Sequence, residues 1–273
     1  MKVLVTGADG FLGKAVVEKL NFNELDIISV TRRENSSSGF FIKDLGNPKE
    51  LIETLDNIKP QIIINLAAVI DFSENSNISF LHSINILCPA ILADWAKRNN
   101  SYLIQASSII IHGTNHNLYN HFTPESPDTD YGLSKYLAEQ MIVSSGCDYA
   151  ILRFGGLFGK NGPIHLGINV AIEKAKQGIV PSYTGEGKSR RNYLHIKDAA
   201  TMIDACVKKR LLGIYFCGGE VVSFKAMLTS IAEEFNVGSQ PGQIAGLDSQ
   251  DQIVEVSSEL NFYKSFADCL KDC

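Results

Sequence analysis

The sequence predicts an α/β fold: a doubly wound parallel sheet with a smaller C-terminal lobe. Three observations lead there. Strand-like and helix-like segments alternate from the second residue onward, the pattern of parallel strands joined by crossover helices. "PQIIINLAAV" at 60–69 is a continuous apolar run, as expected of a strand covered on both faces. Beyond residue 156 the alternation gives way to glycines, two prolines and one helix.

Taken in order, Lys2 to Thr6 is a short β-branched run, and Phe11 to Leu20 repeats apolar residues at helical spacing. Residues 26–31 ("DIISVT") form a second strand and 39–43 a short third one. Pro48 opens a helix through Ile58, because proline suits the first helical turn. A long amphipathic helix over 80–98 leads into a strand at 101–108. A helix over 131–145 and a strand at 149–154 follow. From Gly155 to Gly187, with one helix over 167–177, the chain leaves the sheet, and a helix around 224–235 completes the lobe. The expected domains are therefore 1–156, with a returning segment near 190–218, and 157–273, interleaved.

The 273 residues are 45% apolar and 20% charged, ordinary globular composition. A net charge of −5 argues against nucleic acid as a partner. The dense basic run Lys188, Arg190 and Arg191 reads as a local anion site. Six cysteines are scattered without C-x-x-C or zinc-like spacing, as in a reducing, cytoplasmic setting. The first apolar run is too short for a signal peptide or a membrane span, and no later segment reaches spanning length. A soluble cytoplasmic protein with no membrane partner is expected. No metal is expected either: the histidines at 112, 116 and 121 imply no ligand geometry, and a loop is their simpler home.

Residues 5–13, "VTGADGFLG", place three glycines between the first strand and the first helix. There Gly7 permits a tight turn, Gly10 lets backbone approach a pyrophosphate, and Gly13 allows close helix packing. The helix N-terminus then offers N–H groups to the phosphates. This is the dinucleotide-binding context of a Rossmann sheet. The second strand ends at Thr31, without the carboxylate an NAD site presents to the ribose, and Arg32 and Arg33 follow. Two guanidiniums suit a 2′-phosphate, so NADP is expected, with NAD possible.

"YGLSK" sets Tyr131 and Lys135 four residues apart, on one helix face. A phenol exchanges protons near neutrality when a fixed ammonium stabilises its anion. Ser107 and Ser108 end the preceding strand, where a hydroxyl would polarise a carbonyl. Tyrosine as acid, lysine as tuner and serine as polariser make a hydride-transfer set.

With these residues the chain resembles the extended short-chain dehydrogenase/reductase family, and within it the nucleotide-sugar epimerases, dehydratases and reductases. The resemblance runs through T-G-x-x-G-x-x-G at Thr6–Gly13 (with Phe11 and Leu12 inside it), Asp44-Leu45, "NLAA" at 65–68, Ser108, Tyr131-x-x-x-Lys135, "LRF" at 152–154 and "GEGKSRRNYLHIKD" at 185–198. It implies that Ser108, Tyr131 and Lys135 are catalytic, with Lys135 also on the nicotinamide ribose. It implies further that Asp44, Leu45, Leu66, Ala67, Ala68 and Phe154 line the cofactor, and that Arg191 reaches a substrate diphosphate.

Departures narrow the reaction. The dehydratases' Asp-Glu pair after the serine is Ile109-Ile110 here, and the cysteine of fucose-type epimerase-reductases is Ile110. The asparagine after "LRF" is Gly156, and no arginine follows Arg210. His165, before the 167–177 helix, is the histidine placed to supply a second acid at the substrate. The expected activity is NADPH-dependent reduction of a nucleotide-linked 4-keto-6-deoxy sugar. Its alternatives are a 4-epimerase with tightly held NAD(P) and a non-catalytic dinucleotide-binding regulatory subunit. A homodimer is expected through 80–98 and 131–145, where Ile84, Leu87, Ile91, Leu137 and Met141 exceed what one sheet face needs.

Overall fold

The computed structural model describes residues 1–21, 25–31, 39–41, 44–70 and 77–273. From the N-terminus, β1 (Lys2–Thr6) leads through the glycine turn into α1 (Phe11–Leu20). β2 (Asp26–Thr31), β3 (Gly39–Phe41), α2 (Pro48–Ile58) and β4 (Ile62–Asn65) follow. Asn47 caps α2, its side-chain oxygen accepting from the amides of Lys49 and Glu50, with Pro48 in the first turn. The long helix foreseen over 80–98 extends from Ile78 to Asn99. It consists of α3 (Ile78–His82), a π-helical turn (Ser83–Leu87) and α4 (Cys88–Asn99). β5 (Tyr102–Ser108) comes next, then β6 (Leu118–Tyr119), α5 (Asp130–Ser145) and β7 (Asp148–Phe154).

The C-terminal part holds β8 (Leu157–Phe158), α6 (Gly167–Lys176), β9 (Ser182–Thr184), β10 (Arg190–Arg191) and β11 (Leu194–His195). It continues with α7 (Ile196–Lys209), β12 (Gly213–Cys217), β13 (Val222–Ser223), α8 (Phe224–Glu234), β14 (Gly242–Ile244), β15 (Ile253–Val254) and α9 (Phe266–Leu270). Seven strands form the main sheet in the order β12-β7-β5-β4-β1-β2-β3. The pairings of β1 with β2 and β4, of β2 with β3, and of β4 with β5 are all parallel. Chain order reverses between β1 and β4, which makes their C-terminal ends the crevice where open α/β sheets bind ligands.

Two compact units share the chain. The first takes 1–114, 124–153 and 200–215, and the second takes 115–123, 154–199 and 216–273. In the first unit Leu4, Ile63, Leu103 and Ile151 of the strands are buried with Leu51, Leu55, Leu92 and Trp95 of α2 and α4. The Trp95 indole N–H donates to Asp56 Oδ1 at 2.8 Å, so its polar atom is satisfied as the ring is buried. Residues 78–99 are long and apolar enough to cross a membrane, contrary to the sequence expectation that no segment reaches that length. Their apolarity has another use, because Leu92, Ala93, Trp95 and Ala96 are core residues of the unit.

The second unit has four two-stranded ladders, β8 with β11, β9 with β14, β10 with β13, and β6 with β15. Its core gathers Phe158, Ile168, Ile172, Tyr183, Met227, Ile231 and Phe266. The Asn192 amide stands in for missing strand pairing. It accepts from the Val254 N–H and donates to the Val254 carbonyl, both at 2.8 Å.

Candidate active site

The turn after β1 is built by close approach. Gly7 has φ +67°, and a Cβ there would lie 2.7 Å from the Ala67 nitrogen. A Cβ on Gly13 would lie 2.1 Å from the Gly7 carbonyl oxygen, so α1 starts against the turn it leaves. The Gly10 N–H closes the turn on the Gly7 carbonyl at 2.9 Å. Gly10 is also the N-cap residue of α1, with no side-chain cap, and no acidic residue stands in the first helical turn. The first amides of α1 are thus left for an anion.

Beside this turn lies a cavity of about 460 Å³, lined by Gly7, Asp9, Gly10, Val30, Thr31, Leu45, Leu66, Ala67, Ala68, Val69 and Ile84. Its size and mixed lining suit a nucleotide-sized ligand. Six of the residues expected around the cofactor, Gly7, Gly10, Leu45, Leu66, Ala67 and Ala68, meet there. Phe11 and Leu12 sit in the first turn of α1, and Gly13 supports the turn from behind. Asp44 holds the chain before α2, its Oδ1 accepting the Gly46 N–H at 2.8 Å. Arg32 and Arg33 lie outside the described residues. Asp9 was not foreseen in this role. It occupies a variable position of the glycine motif, and Thr31 Oγ1 donates to its Oδ2.

Ser108, Tyr131 and Lys135, the residues expected to transfer a proton alongside a hydride, come from the end of β5 and the first turns of α5. Thr129 caps α5, its hydroxyl oxygen accepting the Gly132 N–H at 3.0 Å, and Gly146 ends the helix in the left-handed region. A Cβ on Gly132 would lie 2.8 Å from the Ile110 carbonyl oxygen, so the first turn of α5 abuts the turn following Ser108. Lys135 Nζ donates to the Ala106 carbonyl at 2.8 Å and lies 5.9 Å from the Tyr131 ring centroid. Burial lowers the Lys135 pKa to about 8, against the pull of nearby Glu139. Loss of water around the Tyr131 phenol pushes its pKa well up. The Ser108 hydroxyl oxygen accepts the Ile110 N–H at 3.4 Å, which leaves its own hydrogen to give.

Behind this set lies a buried polar cluster that periodicity does not reveal. Ser107 donates to Glu139 Oε1, and Arg153 Nη2 donates to Glu139 Oε2 at 2.7 Å. Arg153 also pairs with Glu125, and its Nη1 donates to His112 Nε2 at 3.2 Å. Arginine has no acceptor, so His112 carries its proton on Nδ1 and gives it to the Pro124 carbonyl at 3.0 Å. Asn85, in the π-helical turn, is equally hidden. It bonds the Val69 N–H and carbonyl at 2.8 and 2.9 Å and donates to Ser134 Oγ at 3.0 Å. One extra residue in a helical turn often marks such a site. The available signal was the position of Glu139, four residues beyond Lys135 on the same face.

The other expected site residues belong to the second unit. Phe154 is buried at the end of β7. The Arg191 guanidinium donates to the carbonyls of Arg190 and Gln250, at 3.1 and 2.7 Å, and its Cζ lies 5.4 Å from the Phe224 ring centroid. Those contacts orient it and occupy part of its donor fork. Burial lowers the His165 pKa. At Gly156, where the family resemblance led to an expectation of asparagine, a Cβ would lie 2.7 Å from the Tyr193 ring, so the ring occupies that space. The residues expected at a dimer face divide. Leu87, Leu137 and Met141 are exposed, whereas Ile84 is buried in the first unit's core and Ile91 packs against it. Ile84 is therefore a core residue, turned inward with Asn85 by the π-helical turn. Among the described residues no group of three or more His, Cys, Asp or Glu is placed to hold a metal ion.

The model of the NAD dependent epimerase/dehydratase family matches residues 3–218. Over 190 residues the chain is 27% identical to dTDP-4-dehydrorhamnose reductase of Burkholderia thailandensis, a match covering 68% of this chain and 60% of that protein. It is 26% identical over 248 residues to methionine adenosyltransferase 2 subunit beta of Pongo abelii, covering 87% and 73%. Among solved structures, UDP-N-acetylglucosamine 4-epimerase of Bacillus cereus superposes with a TM-score of 0.86 at 24% identity, over 99% of this chain and 97% of that one. That likeness speaks for the fold.

Proposed function

The chain belongs to the NAD dependent epimerase/dehydratase family, and from that premise we propose that it reduces the C4 carbonyl of a nucleotide-linked 4-keto-6-deoxy sugar. The observation that carries this reading is one phenol–ammonium pair at the end of β5, with Ile109 and Ile110 next after Ser108. Isoleucines transfer no protons, so elimination of water finds no acid–base pair there, and carbonyl reduction needs none. The reductase similarity points the same way.

The glycine cradle fits a dinucleotide. Its turn tolerates no Cβ at Gly7 or Gly13, and the first turn of α1 itself carries no acidic residue. When bound, the reduced nicotinamide supplies the hydride. Ser108 gives its hydroxyl hydrogen to the carbonyl oxygen and polarises the bond. Tyr131 donates its proton to that oxygen as the alcohol forms. Its raised pKa keeps it protonated, hence an acid rather than a base, in the resting protein. Lys135 steadies the phenolate left behind until water returns the proton. Arg191 is the candidate for a substrate diphosphate, and His165 for a sugar hydroxyl. A cytoplasmic homodimer joined through Leu87, Leu137 and Met141 completes the reading.

The similarity to an adenosyltransferase subunit favours a second reading, a dinucleotide-binding subunit of another enzyme. A 4-epimerase is the third. Incubation with reduced dinucleotide and a dTDP-linked 4-keto-6-deoxyhexose separates them. Net oxidation of the nicotinamide with formation of the alcohol is the expected result. Inversion of a UDP-hexose without net cofactor change would replace reduction with epimerisation. Dinucleotide binding with neither conversion would favour the subunit.

A further inference from the structure

At the end of the second strand of this fold a protein group meets the adenosine ribose of the dinucleotide. In this chain the residue there, Thr31, carries no charge, which by itself would admit a 2′-phosphate. The structure brings a charge to the same place from elsewhere. Asp9 stands on the glycine turn, two residues after Gly7, and its Oδ2 accepts the hydroxyl hydrogen of Thr31. Both residues line the cavity that Gly7 and Gly10 also line. Thr31 is 5% exposed and part of β2, so it is a rigid holder for the carboxylate.

We infer that Asp9, clamped by Thr31, is the group that reads the adenosine ribose, and that the protein takes NAD(H) in preference to NADP(H). This rests on the reading of the cavity as a dinucleotide site. A carboxylate is an acceptor with several lone pairs. One oxygen can hold Thr31 while the group accepts hydrogen bonds from a ribose hydroxyl. A 2′-phosphate at the same spot would offer only negative oxygens to it, and like charges at close quarters repel. The carboxylate that an NAD site usually carries on the second strand is supplied here from the first turn.

Equilibrium binding of NADH and of NADPH to the wild-type protein, to Asp9→Asn and to Arg32→Ala combined with Arg33→Ala tests the assignment. Wild type should bind NADH at least about tenfold more tightly than NADPH, the scale of one charge-assisted contact. Asp9→Asn is nearly isosteric. It should narrow that ratio by about tenfold, chiefly by improving NADPH, at an unchanged melting temperature. The arginine double variant should leave the NADH preference in place. Tighter binding of NADPH by wild type, or an unaltered ratio in a folded Asp9→Asn variant, overturns the inference and leaves the dinucleotide site intact. Failure of wild type to bind NADH, NADPH and ADP-ribose overturns the dinucleotide reading itself. Should the Asp9→Asn variant not fold, Asp9→Ser, which also removes the charge, is titrated in its place, and an unaltered ratio there overturns the inference in the same way.

Discussion

Two ion pairs, one from each unit, hold their charges in different ways. In the first, Arg153 has a side chain only 4% exposed and lies against Glu139, itself 1% exposed, within the cluster behind Ser107 and Lys135. In the second, Arg190 meets Asp251 with its side chain 56% exposed. A buried pair is held in one geometry because either partner left alone would be an unpaired charge away from water. A surface pair is exchanged for water at little cost. The first arrangement suits a group whose position sets a proton transfer.

The largest effect should come from the proton donor. Tyr131→Phe should lower turnover by about two orders of magnitude or more while dinucleotide binding stays unchanged. Steady-state rates with a titration of the cofactor check this, and wild-type turnover in the variant would remove Tyr131 from the mechanism. Next comes the contrast between the two ion pairs. Arg153→Met strands Glu139 and should destabilise the protein by about 3–5 kcal/mol in denaturant unfolding. Arg190→Ala should cost less than about 1 kcal/mol. Equal losses would break the comparison.

Glycines sharpen it further. Gly13→Ala forces a Cβ onto the Gly7 carbonyl and should cost about 1–3 kcal/mol, with weakened dinucleotide binding. Gly167→Ala at the start of α6 meets nothing within 4 Å and should leave stability unchanged or raise it by up to about 1 kcal/mol. The smallest effect concerns pH. Lys135 has its pKa lowered by burial to about 8, so its ammonium is present below that pH and lost as pH rises through it. Turnover should fall by about fivefold over the first pH unit above that value as the phenolate loses its partner. A flat rate–pH profile there would show that Lys135 does not act through its charge.

Much of this molecule is local in origin. Short β-branched or continuous apolar runs marked strands of the sheet, and apolar residues at helical spacing marked its helices. Pro48 marked the start of α2 and stands in its first turn, whereas the caps at Asn47, Thr129 and Gly146 emerged with the structure. Gly7, Gly10 and Gly13 announced the tight turn before α1, because a missing Cβ is visible in one dimension. Tyr131 and Lys135 announced a shared face of α5, because four residues make about one turn. The polar partners were not legible in this way. Residues 9 and 31 are 22 apart, 107 and 139 are 32 apart, and 112 and 153 are 41 apart.

Near neighbours along the chain determined the alternating elements as far as β7, the glycine turn and the spacing of Tyr131 and Lys135, but not α7, β12 or the short strands of the second unit. The tertiary structure alone decided that Ile84 turns inward, that Asn85 clamps Val69 to Ser134, that Arg153 of β7 meets Glu139 of α5, and that a carboxylate stands beside Thr31. The physical reason is desolvation. A polar group leaving water must find its partner among whatever side chains the folded sheet brings within about 3 Å. That proximity is set by strand order and by turns such as the π-helical one at Ser83–Leu87, not by spacing along the chain.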